Sequence, residues 1–176
     1  MAAIQWTIDT THTEIGFKIK HMMVSNVRGM FTKYTGTVET DGSDFSLATV
    51  QLDVDVASVD TNNEQRDTHL RSKDFFEVET YKTMVFKSTK VEKVDDSNYK
   101  LMGDLTIKDN THPITLDVEM GGMVNDPYGN TRAGFSVTGK LSRKAFGLTW
   151  NGTLPGGDSI LADEIAINCE IEITHR

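Results

Sequence analysis

Apolar and polar residues alternate along most of this chain. The clearest alternating segment spans residues 165–173, where isoleucines and Cys169 are separated by polar or small residues. A period of two is typical of a β-strand that buries one face. Similar segments occur at residues 15–19, 50–56, 101–107 and 114–120, and weaker ones at 34–38, 84–91 and 133–141. With Trp6 and Ile8 at the start, these segments predict about eight long strands.

Short polar turns separate the predicted strands, at residues 41–42, 95–98, 109–110 and 125–130. Such connections join antiparallel neighbours, whereas parallel strands need helical crossovers. Strands with one apolar face can bury it by closing into a barrel, which also removes unpaired edges, or by forming a sandwich. We therefore predict one all-β domain over residues 1–176, an extended antiparallel eight-stranded barrel, with the sandwich as alternative.

Residues 60–76 are the one long stretch without this alternation. Thr61 and Glu64 have the spacing of a capping box, which predicts that Thr61 caps a short helix. The stretch is too polar for a core helix, so we expect it to close one end of the barrel as a lid. Its inward-facing side chains are expected to be Leu70, Phe75 and Phe76. A single helical turn is also predicted near residues 24–27.

The charged residues of the lid are candidates for contacting the polar head group of a ligand. Asp67 and Arg71 are four residues apart and can pair, while Arg66 lies on the adjoining stripe. We group His12 with these three as head-group candidates. Exposed helices also carry such charges without any function, and the sequence does not separate the two interpretations.

The overall charge limits the classes of partner. The chain has 26 acidic and 18 basic residues, a formal net charge of −8. Nucleic acids and anionic membranes need a cationic face, so we expect no nucleic-acid partner and no stable membrane insertion. A homodimer is compatible with the sequence. The first residues lack signal-peptide features, so we expect a cytoplasmic protein, or an exported one if a signal peptide was removed.

Residues with catalytic potential are few and scattered. The sequence contains no nucleophile elbow, dinucleotide fingerprint or zinc-protease motif, and its five histidines lack close ligand spacing. We therefore predict no catalytic residues and no metal site. A metal-assisted hydrolase using His12, His21 or His69 is the enzymatic alternative. Cys169 shares the parity of its isoleucine neighbours, which predicts a buried thiol rather than a nucleophile.

Strand parity defines the interior. The residues expected to face one continuous apolar interior are Phe17, Ile19, Leu52, Val54, Phe86, Leu105, Leu116, Val118, Phe135 and Val137. A barrel of eight strands has room for packed side chains or for one slender ligand. Gly36, Gly103 and Gly139 remove side chains from this face and can leave a channel. If larger neighbours fill the gaps, the alternative is a packed structural stress protein.

Motifs over nearly the whole chain resemble those of the YceI-like family. They are Trp6-x-Ile8-Asp9-x-x-His12-x-x-Ile15-x-Phe17-x-Ile19-x-His21, Gly29-x-Phe31, Arg66-Asp67-x-His69-Leu70-Arg71-Ser72-x-Asp74-Phe75-Phe76, Phe86-x-Ser88, Gly103-x-Leu105-Thr106-Ile107 and Arg143-x-x-Phe146-Gly147. The resemblance implies a lipocalin-like barrel that binds, transports or stores a polyisoprenoid, an isoprenoid quinone or a related long amphiphile without catalysis. It implies no cofactor other than such a lipid, and it favours an open interior.

Overall fold

The computed structural model describes residues 3–152 and 160–176, which are mostly β-strand. The elements are β1 (Ala3–Ile8), β2 (Glu14–His21), β3 (Ser25–Phe31), β4 (Tyr34–Asp41), β5 (Asp44–Asp55), β6 (Val59–Asp60), α1 (Glu64–Arg71), β7 (Thr83–Lys93), β8 (Asn98–Ile107), β9 (Asn110–Asn125), β10 (Thr131–Ser142) and β11 (Leu161–His175). All strand pairings among them are antiparallel. The predicted all-β class is confirmed.

The eleven strands combine into eight long ones, because three long strands are interrupted by short irregular segments. β1 and β2 flank a 3-10 turn at Thr10–His12, and both pair with β11. β3 and β4 follow each other in the same way and pair with β2 and β1. β5 and β6 flank a second 3-10 turn at Val56–Ser58. The pairing of β1 with β11 closes the sheet, so the predicted eight-stranded lipocalin-like barrel is confirmed.

A tight hairpin between β2 and β3 replaces the helical turn expected near residues 24–27, so that prediction is wrong. Met22 and Met23 occupy the two central turn positions with φ of 52° and 61°. The N–H of Val24 donates to the carbonyl of His21 at 3.2 Å, and β3 begins at the next residue. A two-residue turn with two positive φ angles matches the twist of paired strands. Cross-strand pairing therefore overrides the local preference.

Helix α1 begins later than the capping box predicts. Its N-cap is Asn63, whose Oδ1 accepts the backbone N–H of Arg66 at 3.0 Å. Thr61 lies two residues before this cap, and its hydroxyl donates to Asp67 instead at 2.5 Å. The predicted cap is wrong because the Thr61 oxygen accepts the side-chain Nε–H of Arg66 and not a backbone N–H of the helix. The helix covers only Glu64–Arg71. Within residues 3–152 and 160–176, no helix is long and apolar enough to cross a membrane.

Strand parity places charged side chains outside the barrel. Lys100 of β8 lies opposite Asp117 of β9, and the two form an ion pair with both side chains substantially exposed. The adjacent residues Leu101 and Leu116 are partners in the same ladder and pack in the main hydrophobic core. A shift of one residue in register would exchange these two pairs between solvent and interior. The alternating pattern therefore fixes the interior face.

Candidate ligand-binding cavity

The barrel encloses an apolar cavity of about 410 Å³. This volume falls in the usual range of small-molecule sites, roughly 300–1,000 Å³. Eleven of the thirteen residues predicted to contact a ligand line it: Phe17, Ile19, Leu52, Val54, Leu70, Phe75, Phe76, Phe86, Leu105, Leu116 and Val137. The interior is therefore open in its central part, which the alternating pattern alone did not decide.

The other two predicted residues, Val118 and Phe135, line a second cavity of about 120 Å³. The two cavities share wall residues, namely Val38, Val50, Leu101, Val137 and Ile171. Val118 and Phe135 therefore face the barrel interior in its smaller part, next to the main cavity. The smaller cavity is an extension of the larger one, away from the helix.

The inward glycines do not create the open space in the way the sequence suggested. A Cβ built on Gly103 would lie 2.5 Å from Cζ of Phe86, and one on Gly139 would lie 2.6 Å from Cδ2 of Leu116. Neighbouring side chains therefore fill the positions above these glycines. Phe86 and Leu116 can lie against the wall above these glycines, and they therefore take up less of the centre of the barrel. The glycines enlarge the cavity only indirectly, through the positions of these two side chains.

The lid residues form an aromatic wall at one end of the cavity. Phe75 and Phe76 are buried, and Leu70 packs against the same core. The Phe76 ring is 5.8 Å from that of Phe31, and the Phe75 ring is 5.4 Å from that of Trp150. Such tilted or edge-to-face pairs hold aromatic rings in fixed positions. Aromatic packing therefore joins this end of the lid to the barrel.

Arg66 is held at the cavity by a chain of hydrogen bonds. Its Nε donates to Thr61 Oγ1 and its Nη2 to the Thr61 carbonyl, both at 2.7 Å. Asp67 is buried and accepts both the hydroxyl and the backbone N–H of Thr61. Asp67, predicted as a head-group contact that pairs with Arg71, instead positions Thr61 and through it Arg66. Arg66 lines the cavity itself.

His69 and Trp150 complete the polar end of the cavity. Their rings meet edge to face with centroids 4.7 Å apart, and both residues line the cavity. His69 Nε2 lies 2.8 Å from Oδ2 of Asp74, which fixes the orientation of the imidazole. Sequence reasoning did not identify Trp150 as a site residue. It follows the last motif and lies outside any alternating segment, so only the fold brings it to the helix.

Arg143 organises the rim next to Trp150. Its side chain is 1% exposed and lines the cavity. Nη1 donates to the carbonyls of Leu148 at 2.6 Å and Trp150 at 2.8 Å, and Nε donates to that of Ala162 at 2.8 Å. Burial lowers the pKa of the guanidinium, partly offset by Asp163. Arg143 therefore joins the end of β10 to the start of β11 through main-chain oxygens.

Two predicted head-group candidates lie elsewhere. Arg71 is not part of the cavity wall, and its Nε donates to the carbonyl of Ala57 at 2.9 Å and its Nη2 to that of Val59 at 3.3 Å. It anchors the helix to the barrel, because its long side chain reaches back across β6. His12 is exposed and lies 2.9 Å from Asp9 at the junction of β1 and β2, also away from the cavity wall.

An ionic network surrounds His12. The possible ligand atoms of Asp9, His12 and Glu172 all lie within 4.8 Å of one another. Arg132 Nη1 donates to Asp9 at 2.8 Å and to Glu172 at 2.9 Å, and its Nε donates to Asp126 at 2.8 Å. His12 lowers the pKa of Asp9, and Asp9 raises that of His12. Arg132 already occupies oxygens of Asp9 and Glu172, so we do not assign a metal ion here.

The remaining catalytic candidates are separated from one another. His21 and His69 line the cavity, whereas His12 does not, so the three histidines of the hydrolase alternative do not meet in one site. Cys169 also lines the cavity wall and is 9% exposed. Burial raises the pKa of its thiol to about 11. The thiol is therefore protonated at neutral pH and is a poor nucleophile.

Comparison with known proteins agrees with this architecture. A sequence model described as the YceI-like domain matches residues 6–173. The chain belongs to the YceI-like family. A UPF0312 protein of Vibrio cholerae is 38% identical over 148 residues, which cover 83% of this chain and 78% of the relative. The family resemblance drawn from the motifs is therefore confirmed.

Solved structures of similar proteins have the same fold. The YceI protein of Campylobacter jejuni is 37% identical, covers 97% of both chains and superposes with a TM-score of 0.79. A polyisoprenoid binding domain from Saccharophagus degradans, implicated in plant cell wall breakdown, superposes with a TM-score of 0.70. It covers 98% of this chain and 99% of its own at 14% identity, so this similarity shows the fold alone.

Proposed function

We propose that this YceI-like protein binds a long-chain isoprenoid, such as a polyisoprenoid or an isoprenoid quinone, or a related amphiphilic lipid, inside the barrel. It carries or stores this ligand without changing it chemically. The observation that supports this most is the uneven distribution of polarity along the cavity. The walls are mostly apolar, although His21 and Gln51 also line them. The polar lining side chains of the lid segment and rim are Thr61, Arg66, His69, Arg143 and Trp150, and hydrogen bonds or ring contacts join Thr61 to Arg66, His69 to Trp150 and Arg143 to Trp150.

The apolar part of the cavity matches a flexible hydrocarbon tail. If a ligand buries about 300 Å² of apolar surface there, the transfer contributes about 7 kcal/mol before association costs are subtracted. The adjoining smaller cavity would admit further carbons of a longer tail. We therefore expect affinity to rise with tail length until both spaces are filled.

The polar end supplies donors for an oxygen-bearing head group. Two of the three Arg66 nitrogens are engaged by Thr61, and Nη1 has no hydrogen-bond partner among residues 3–152 and 160–176. Within the same described residues, the indole N–H of Trp150 also has no partner. A quinone carbonyl, an ether or a phosphate oxygen can accept from either group. This chemistry suits an amphiphile better than a pure hydrocarbon.

The fold relationship to a polyisoprenoid binding domain supports the proposed ligand class by analogy. Binding without catalysis is supported by the protonated Cys169 and by the separation of the histidines. The cytoplasmic location, the homodimer and the absence of a nucleic-acid partner stay predictions. Cell fractionation and measurement of mass in solution test the first two.

A titration with isoprenoid quinones of increasing tail length tests the proposal. A Trp6→Phe variant leaves Trp150, at the cavity, as the one tryptophan to report binding by fluorescence. We expect tighter binding with longer tails. Arg66→Ala should weaken the binding of quinones more than the binding of hydrocarbons with the same tail. Lys140→Ala, an exposed cation outside the cavity wall, is the control. A folded protein that takes up no isoprenoid of any length would contradict the proposal.

A further inference from the structure

The hairpin between β2 and β3 ends in three consecutive exposed apolar side chains. Met22, Met23 and Val24 are 40%, 63% and 83% exposed. We call these three residues the hairpin tip. Single apolar residues on a surface need no explanation, but a contiguous group next to a binding cavity is typical of an interaction site.

Methionine is an unusual residue for the backbone conformation of this turn. Met22 and Met23 both have positive φ, a conformation that costs most residues energy and that Asn-Gly sequences adopt easily. An Asn-Gly turn would be both better folded and more soluble at this position. Because the requirements of folding do not favour two methionines here, the tip is better explained by contact with another surface.

The tip adjoins the wall of the cavity. The residues at its base, His21 and Val27, line the cavity, as do Ile160 and Leu161 on the adjacent segment. The N–H of Met22 donates to the carbonyl of Ile160 at 2.7 Å, and Leu161 pairs with His21. A surface that contacts the tip would therefore also contact the rim of the cavity.

Basic side chains flank the tip on the outer face of the hairpin. Lys18 and Arg28 are directly opposite each other across β2 and β3, and Lys20 lies two residues nearer the tip. None of the three has an ion-pair partner within residues 3–152 and 160–176. Like charges opposite each other destabilise a ladder, so this arrangement favours an anionic surface as partner.

We propose that the hairpin tip docks on an anionic phospholipid bilayer, with the methionines and Val24 among the head groups and the three basic side chains against lipid phosphates. This is a shallow contact that does not span the bilayer, and it is independent of which ligand the cavity holds. It would place the cavity rim at the membrane surface.

The net charge of −8 does not oppose this contact as strongly as the sequence suggested. Charges separated by more than about 8 Å are largely screened at physiological salt, so a membrane responds mainly to the residues nearest to it. Each basic side chain near an anionic bilayer raises the binding constant about fivefold, and Lys20 is the nearest of the three to the tip. Acidic residues far from the hairpin therefore oppose this contact only weakly.

The opposite end of the barrel supplies a matched control. Met123 and Val124 are 38% and 62% exposed at the β9–β10 hairpin. This hairpin lies beside the end of β11, whereas the tip lies beside its start. The nearby Arg132 is engaged by carboxylates, so the charge of this cation is already offset at this end. It should not bind an anionic bilayer.

The test is flotation of the protein with vesicles of phosphatidylcholine, with or without phosphatidylglycerol. We expect the wild type to float with the anionic vesicles alone, and less at high salt. Met22→Asn/Met23→Gly should reduce the bound fraction at least tenfold while preserving the turn. Lys18→Gln/Lys20→Gln/Arg28→Gln should remove the preference for anionic lipid, and Met123→Ser/Val124→Ser should change nothing. Thermal melting confirms that each variant is folded.

Other results would overturn the proposal. These are no flotation of the wild type at low salt, equal flotation of the tip variant, or an equal loss in the Met123/Val124 control. A concentration-dependent dimer that the tip variant dissociates, without vesicle binding, would assign the tip to a second copy of the chain and also overturn it. Quinone uptake measured without vesicles tests the proposed function separately.

Discussion

Replacing Arg143 with methionine is expected to destabilise the protein by about 3–5 kcal/mol, with the cavity rim opening first. The guanidinium is 1% exposed and makes its short hydrogen bonds to the carbonyls of Leu148, Trp150 and Ala162. A fourth bond, to Leu161, is longer at 3.4 Å. Methionine keeps much of the apolar stem but removes every donor.

The magnitude follows from three charge-assisted bonds. Each contributes about 1.5–3 kcal/mol to stability, and a carbonyl left buried without its donor adds a desolvation penalty. The gain from no longer burying a charge offsets part of this loss, as does rehydration of carbonyls near the rim. The net loss is a large fraction of the roughly 5–15 kcal/mol that stabilises a typical domain.

Urea denaturation in the Trp6→Phe background, followed by Trp150 fluorescence, measures the loss. Hydrogen exchange at residues 148–152 and 160–162 locates it. Arg143→Lys should recover only part of the stability, because an ammonium cannot form the planar fork of a guanidinium. Arg28→Met is the matched control, since Arg28 is exposed, and should lie within about 0.5 kcal/mol of wild type. A loss below about 1 kcal/mol for Arg143→Met would refute the reasoning.

Three further predictions concern the cavity and the ionic network. Leu70→Ser and Phe75→Ser should sharply weaken binding of long tails relative to short ones, as both side chains line the cavity; an unchanged chain-length dependence in folded variants would place the tail elsewhere. Cys169 should be alkylated slowly at neutral pH, because burial raises its pKa to about 11, and a bound ligand should slow alkylation further. Mass spectrometry measures the rates, and equal rates with and without ligand would show that the ligand does not contact this wall. Hydrogen bonds from the Asn130 backbone and from Arg132 lower the pKa of Asp126 to about 2, so its stabilising contribution should be lost as pH falls from about 4 to about 2. In acid unfolding experiments, Asp126→Asn should not show the loss of stability between about pH 4 and about pH 2 that the wild type shows.

The sequence predicted the barrel well because its signals are local. Alternation of apolar and polar residues determines which face of each strand is buried, and short turns require antiparallel neighbours. The same parity correctly placed Cys169 in the interior and the Lys100–Asp117 pair outside. The lid was identified by the absence of alternation, although its cap was misplaced.

The errors arise where long-range contacts decide the outcome. Thr61 was predicted as a cap, but its oxygen accepts the side chain of Arg66, and Asn63 caps the helix. Arg71 has the charge expected of a residue that contacts a ligand head group, yet its guanidinium donates to the main-chain carbonyls of Ala57 and Val59. Trp150 contacts the helix, and its main-chain carbonyl accepts a hydrogen bond from Arg143. No pattern in a single sequence shows which distant carbonyl a side chain will meet.

Extraction of the purified protein with organic solvent, followed by mass spectrometry, tests the central claim most directly. The proposed function predicts an isoprenoid-tailed or other long-chain amphiphile, at about one molecule per chain because a single main cavity is present in the described residues. Protein purified without ligand should take up added isoprenoid quinone to the same stoichiometry. Reproducible absence of any lipid, together with no uptake of the quinone by folded protein, would contradict the claim.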